Sequence, residues 1–195
     1  MIILVRHGQT FWNVERRIQG HSESPLTRLG ERQAVAMADL VADLVRREPG
    51  PWRLVSSPIG RARQTAQAVA TATGLSADFD TRLMEICCGS WEGELWDDVI
   101  AKHPELAGSN DRFYKSYGGE TYDDVSARAR DWLASLPPEP ERRVIAVSHG
   151  VLGRLLRGVY AGLDRETTNA QSVPQDAVYR LQNGQIDRFD CEPVE

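Results

Sequence analysis

Apolar residues along the chain fall into short unbroken runs that alternate with longer stretches of helical spacing. The first run, residues 2–5, breaks directly into Arg6, His7, Gly8, Gln9 and Thr10. A short β-branched run of this kind reads as a strand buried on both faces. Residues 11–26 are polar, carry Gly20 and Pro25, and read as a loop. From Thr27 a helix is predicted. Thr27 is the N-cap candidate, although Glu31 lies one place too late for a capping box. Leu29, Ala36, Met37, Leu40, Val41 and Leu44 form its apolar stripe, and Pro49-Gly50 ends it. Residues 52–55 predict a second strand. Ser57 as N-cap with Pro58 in the first helical position then starts a helix carrying Ala62, Thr65, Ala66, Val69 and Ala70, closed by Gly74.

A third strand is predicted over residues 78–83, running into Met84 and Glu85. Residues 86–120 are irregular and aromatic, with a short helix predicted over 92–102 before Pro104. Thr121, with Asp124 three places on, caps a helix whose stripe is Tyr122, Val125, Ala129, Trp132 or Leu133, and Leu136. Residues 144–147 read as a buried strand, followed by Ser148-His149-Gly150 and a helix to about residue 160. Residues 162–175 read as a loop. Two runs, 177–181 and 185–189, flank Asn183-Gly184, the signal for a tight hairpin. Strands alternating with helices predict an α/β fold: a three-layer α/β/α sandwich on a mostly parallel sheet, the closing hairpin adding an antiparallel edge. No repeat or linker interrupts residues 1–195, so a single domain is expected.

Composition narrows the function. The 195 residues carry 41% hydrophobic and 26% charged residues, ordinary for a soluble protein. A net charge of −5 argues against nucleic acid as a partner, while a local basic pocket for a small anion remains compatible. No apolar run approaches the roughly 18 residues of a membrane span. The first strand begins at the N-terminus, leaving no room for a signal peptide, and three cysteines, two adjacent, make no disulfide framework. A reducing cytoplasm is the expected location.

Three predicted strands end in polar clusters, Arg6-His7, Ser56 to Arg61 and Ser148-His149, and a fourth segment ends in Glu85. In open α/β sheets the ligand crevice lies beyond the carboxyl ends of the strands, so parallel strands would bring two arginines, two histidines and a carboxylate together. Taken singly, Arg61 also reads as a surface arginine, His149 as a core histidine and Glu85 as an exposed glutamate. Their joint placement favours an anion site. His21 and His103 are assigned no catalytic task. P-loop, dinucleotide, zinc-protease, zinc-deaminase and nucleophile-elbow patterns are absent, and Cys87-Cys88 is too close for C-x-x-C chemistry.

The segments VRHGQTFWN, GHSESPLTRLGERQA, SSPIGRARQTA, MEICCGSWEG, GGETYDDVSAR and VSHG together resemble the histidine phosphatase superfamily, also called phosphoglycerate-mutase-like. The resemblance implies that His7 becomes phosphohistidine, that Arg6, Arg61 and His149 line the phosphate pocket, and that Glu85 is the acid/base. It further implies that Asn13 reaches the phosphate, with assistance from Thr10 and from backbone near Gly20 and Gly150. No metal and no cofactor are implied. The expected partner is a small phosphorylated metabolite, with no nucleic acid and no membrane. The oligomeric state is left open, a homodimer included. The compact middle segment is similar to the phosphatase branch, so a phosphomonoesterase is expected, with mutase-type phosphoryl transfer as the alternative and a non-catalytic phosphate-binding protein as a third reading. Glu23 stands where that family usually has aspartate, and Cys88 where it often has an aromatic residue.

Overall fold

Alternate residues of the first strand face opposite ways, and each side finds its own core. The computed structural model describes residues 1–192 and 194. Strand β1 (Ile2–Arg6) sends Ile2 and Leu4 into one buried cluster and Ile3 and Val5 into another. β4 (Val144–Ser148) does the same with Val144 and Ala146 against Ile145 and Val147. This is the period-two signature of a strand covered on both faces.

The sheet has six strands in the order β3-β2-β4-β1-β5-β6. β2 (Arg53–Ser56), β3 (Ala77–Phe79), β4 and β1 run parallel. β5 (Ala177–Gln182) and β6 (Gln185–Asp190) add the expected antiparallel edge. Asn183 and Gly184 both adopt positive φ, 53° and 74°, as a two-residue hairpin requires. α2 (Arg28–Arg47) and α3 (Gly60–Thr73) cover one face, where Ala38, Ala62 and Ala66 join the same cluster as Ile3 and Val5. α5 (Tyr122–Ala134) and α6 (Gly150–Ala161) cover the other through Trp132, Leu152 and Leu155. The α2 stripe is rotated from the predicted one: Ala34, Ala38 and Ala42 are buried, whereas Ala36 and Leu40 are only half-buried.

Several boundaries differ from the sequence expectation, each for an identifiable physical reason. Ser57 does not cap α3. Its hydroxyl accepts from the Ile59 amide at 3.3 Å and pairs with His149, and the helix begins at Gly60. Glu23 supplies the cap from across the loop, both carboxylate oxygens lying 3.0 Å from the Gly60 amide. A negative charge there offsets the unfavourable position of Arg61 in the first turn. The third strand stops at Phe79, because Asp80 turns the chain by accepting from the Arg82 amide at 2.9 Å and opens a 3-10 turn over Thr81–Leu83. The middle helix, α4 (Trp96–Lys102), starts late, after Gly93 at φ 88°. Two predicted loops contain short helices: α1 (Phe11–Val14), closed by a Thr10/Asn13 capping box, and α7 (Arg165–Ala170), capped by Asp164.

One contact ties the layers to the polar end of β1. A Cβ on Gly30, in the first turn of α2, would collide with the carbonyl oxygen of Gln9, and one on Gly8 would collide with Gly30. Glycine at both positions lets the helix abut the loop that carries His7. Gly30→Ala is expected to cost about 1–3 kcal/mol through overpacking, read as a lowered urea midpoint at unchanged m-value.

Candidate active site

Three parallel strands end side by side, and the residues just beyond them meet. The backbone fixes this: the His7 amide donates to Ser148 O at 3.1 Å and the Ser57 amide to Val147 O at 2.9 Å. His7 is only 2% exposed. Its Nδ1 lies 2.8 Å from the Gly8 carbonyl, which can only accept, so Nδ1 carries the proton and Nε2 presents its lone pair. Nε2 accepts from Arg61 Nε at 3.2 Å.

Arg61, 1% exposed, is no surface arginine. Its Nη1 donates to Ser22 O at 2.8 Å and its Nη2 to Gly20 O at 2.7 Å. Gly20 holds φ 51°, and a side chain there would strike the Glu92 carboxylate. Glu92 in turn accepts from the His21 amide at 2.9 Å, the Cys88 amide at 3.0 Å and the Ser22 hydroxyl at 2.8 Å. Burial pushes its carboxyl up, but these bonds outweigh burial and hold it below the usual glutamate value. The loop that grips Arg61 is thus itself gripped by Glu92.

Glu85 closes the opposite side. Oε1 accepts from the Ile86 and Leu152 amides, both at 3.0 Å, and Oε2 from the Val151 amide at 3.1 Å. Its carboxylate therefore caps the N-terminus of α6 and is fixed in direction, with Oε2 keeping a free acceptor position. Arg6 donates through Nη1 to Val173 O, while its buried Nε has no partner. Asn13 accepts on Oδ1 from the Thr10 amide and from Gln175 Nε2, both at 3.0 Å, so its amino group is the end left for a ligand.

These groups surround one cavity of about 180 Å³, whose wall includes Arg6, His7, Asn13, Gly20, Arg61, Glu85 and Gly150. Two expected residues stand off it. Thr10 has its amide on Asn13 and its hydroxyl committed to the Asn13 amide and to Gln19, so it shapes the loop and presents nothing to the cavity. His149 lies behind His7, ring centroids 5.2 Å apart, with Nε2 2.7 Å from the Ser57 hydroxyl and Nδ1 buried without a partner. Trp96 and Phe113, from the aromatic middle segment, also line the wall, together with Arg17, Ile18 and Arg154, which were not singled out from the sequence. Arg154 did leave a signal there, a charge inside the otherwise apolar run GVLGRLL. Among the described residues no group of three His, Cys, Asp or Glu side chains could hold a metal ion.

A neutral imidazole whose Nε2 carries no proton and meets Arg61, a second guanidinium from Arg6 and a fixed carboxylate make a site for a tetrahedral anion. A family model described as the histidine phosphatase superfamily (branch 1) matches residues 2–187. The chain belongs to the histidine phosphatase superfamily. The glucosyl-3-phosphoglycerate phosphatase of Mycobacterium tuberculosis is 38% identical over 162 residues, covering 77% of this chain and 70% of that protein. A probable phosphoglycerate mutase, GpmB, of Salmonella paratyphi A is 34% identical over 197 residues, covering 98% and 85%. The solved structure of the mycobacterial glucosyl-3-phosphoglycerate phosphatase complexed with VO3 superimposes with a TM-score of 0.81 at 31% identity, covering 98% of this chain and 99% of that one.

The electrostatics of this superfamily member follow from burial. Burial, reinforced by Arg61, lowers the pKa of both His7 and His149 well below the ordinary histidine value, and Arg6 is pushed down to about 10 by burial. Burial likewise pushes the Cys88 thiol on the cavity wall up, which keeps it protonated. The buried histidines make the fold acid-sensitive. Below about pH 6.5 the unfolded chain binds protons that the folded chain refuses, so stability falls as pH falls through that region. The slope is up to about 1.4 kcal/mol per pH unit for each histidine. Urea midpoints measured from neutral pH downward should decline, and His7→Gln should remove one histidine's share of the slope. Glu92→Ala, which frees the loop holding Arg61, is expected to weaken inhibition by inorganic phosphate about tenfold, measured as Ki.

Proposed function

We propose that this chain hydrolyses small phosphate monoesters through a phosphohistidine on His7. The observation that carries the reading is the imidazole itself: Nδ1 donating to Gly8 O, Nε2 unprotonated on the wall of a cavity that also holds Arg6, Arg61 and Glu85. The phosphate dianion binds between Arg6 and Arg61, whose guanidiniums neutralise its charge, and gives a partner to the buried, unpaired Arg6 Nε. His7 Nε2 attacks phosphorus as the bond to the alcohol oxygen breaks, and protonated Glu85 delivers its proton from Oε2 to the departing alcohol. Water then enters and gives its proton back to Glu85. Its oxygen attacks phosphorus, the P–N bond breaks, and inorganic phosphate leaves. Catalysis of this kind is positioning and charge stabilisation, which buried arginines and a fixed imidazole supply.

Phosphatase is favoured over mutase by the phosphatase relative and its structure, although a probable mutase also aligns along nearly the whole chain. No helix among the described residues is long and apolar enough to cross a membrane. The three free cysteines support a reducing compartment, the cytoplasm.

The wild-type protein should release phosphate from p-nitrophenyl phosphate and, on acid-free quenching, retain an acid-labile phosphoryl group. His7→Ala should lose both, with kcat down by at least about a thousandfold. Undiminished turnover in that variant would sink the assignment. With 3-phosphoglycerate and a bisphosphoglycerate primer, free phosphate rather than 2-phosphoglycerate is the expected product.

A further inference from the structure

We infer that Arg128 and His21 are positioning residues for Glu85: together they hold the backbone of the acid so that its carboxyl is aimed at the departing alcohol. This rests on the phosphatase reading and on Glu85 as its acid. Among the described residues neither belongs to the cavity wall. Glu85 opens a stretch, residues 85–88, that lies in no helix or strand and runs between 3-10 turns at Thr81–Leu83 and Gly89–Trp91. Such backbone has no ladder to pair its amides and carbonyls, so side chains must do it. Arg128, on α5, supplies the donors. Nη1 donates to Arg82 O at 2.9 Å and to Met84 O at 2.7 Å, and Nη2 to Glu85 O at 3.3 Å. Nε and Nη2 also donate to the two oxygens of Glu120, at 3.0 and 2.8 Å. These five bonds match the five N–H groups of a guanidinium. Glu120 grips the chain as well: its carboxylate accepts from the Cys87 amide at 2.8 Å, and its own amide donates to Cys87 O at 2.9 Å. The pair therefore clamps the backbone on both sides of Glu85.

His21 reaches the same carbonyl from the loop that holds Arg61. Its Nε2 lies 2.8 Å from Glu85 O, and a carbonyl can only accept, so Nε2 carries the proton. Gly20 O and Ser22 O, on either side of His21, are the two carbonyls that accept from Arg61. One loop thus fixes the guanidinium that meets the phosphate and, through one imidazole, the backbone of the acid that meets the leaving group. The spacing between phosphate and acid is set by that bridge. The amides of Ile86, Val151 and Leu152 orient the Glu85 carboxylate, but those of Val151 and Leu152 belong to α6 and serve only while the Glu85 backbone stays in reach. Proton delivery is sensitive to this: a misplacement of about 1 Å is enough to cost about a hundredfold in rate.

Leaving groups separate positioning from mere stability. The test measures kcat/KM of the full-length enzyme on p-nitrophenyl, phenyl and benzyl phosphate, whose leaving oxygens are similar in size and progressively more basic. A p-nitrophenolate departs without a proton, whereas benzyl alcohol needs one. Glu85→Gln sets the scale and should cost benzyl phosphate at least about a hundredfold more than p-nitrophenyl phosphate. Arg128→Met should cost benzyl phosphate at least about tenfold more than p-nitrophenyl phosphate, and Arg128→Lys should recover part of that difference. His21→Ala changes a half-buried side chain and should show the same selective loss, so the test stands even where Arg128→Met does not fold. His21→Gln, which keeps an N–H donor, should recover part of it. Urea midpoints record stability separately. An unchanged ratio between the esters in either folded variant, whatever its midpoint, would overturn the inference and leave the phosphatase reading standing. A Glu85→Gln variant indifferent to the leaving group would overturn the acid assignment, and this inference with it. Failure of the wild-type enzyme on every ester would instead overturn the phosphatase reading itself.

Discussion

One backbone carbonyl decides which nitrogen of His7 is free. Because Gly8 O can only accept, the proton stays on Nδ1, and the lone pair of Nε2 meets Arg61 at the cavity wall. Burial reinforces the choice by disfavouring a second proton. Much of the surrounding structure preserves this arrangement. Gly8 and Gly30 allow α2 to press against the loop, Gln175 holds His7 O at 3.2 Å, and the Thr65 hydroxyl accepts from the Gly8 amide at 3.2 Å. The sheet supplies the platform, since β1 and β4 pair in register up to Arg6 and Ser148.

The site also concentrates positive charge within an acidic protein. Four arginines share the cavity wall with one carboxylate on a chain of net charge −5. Three of the guanidiniums are positioned mainly by carbonyl oxygens, Arg61 by Gly20 and Ser22, Arg6 by Val173 and Arg154 by Asn169, whereas Arg17 pairs with Glu15 at 2.9 Å. A carbonyl orients a guanidinium without cancelling its charge, whereas an ion pair would spend it. In the proposed reaction that uncancelled charge is what the phosphoryl group meets.

Much of the layered fold was legible because it rests on periodicity. β1 and β4 are unbroken apolar runs rich in β-branched residues, α5 shows both its stripe and its capping box, and Asn183-Gly184 marks the hairpin. What escaped rests on contacts between distant residues. Four-residue α1 and six-residue α7 are too short to show a stripe. Ser57 has the look of a helix cap, but its hydroxyl is drawn to a histidine 92 positions away, and Glu23 caps the helix from 37 positions away. The convergence of Arg6, His7, Arg61 and Glu85 could be inferred from strand ends, since parallel pairing fixes where those ends lie. Arg17, Arg154 and Phe113 reach the cavity from a loop, a helix interior and an irregular segment, and no spacing rule links them.

Glu85 holds down the first amides of α6, the helix that also brings Arg154 to the cavity. If this carboxylate shuttles a proton during turnover, its hold on the Val151 and Leu152 amides slackens when it is protonated and tightens when it is charged. Each catalytic cycle would then tug once on the far wall of the chamber, so that letting go of the alcohol and admitting water share a mechanical link through a single side chain.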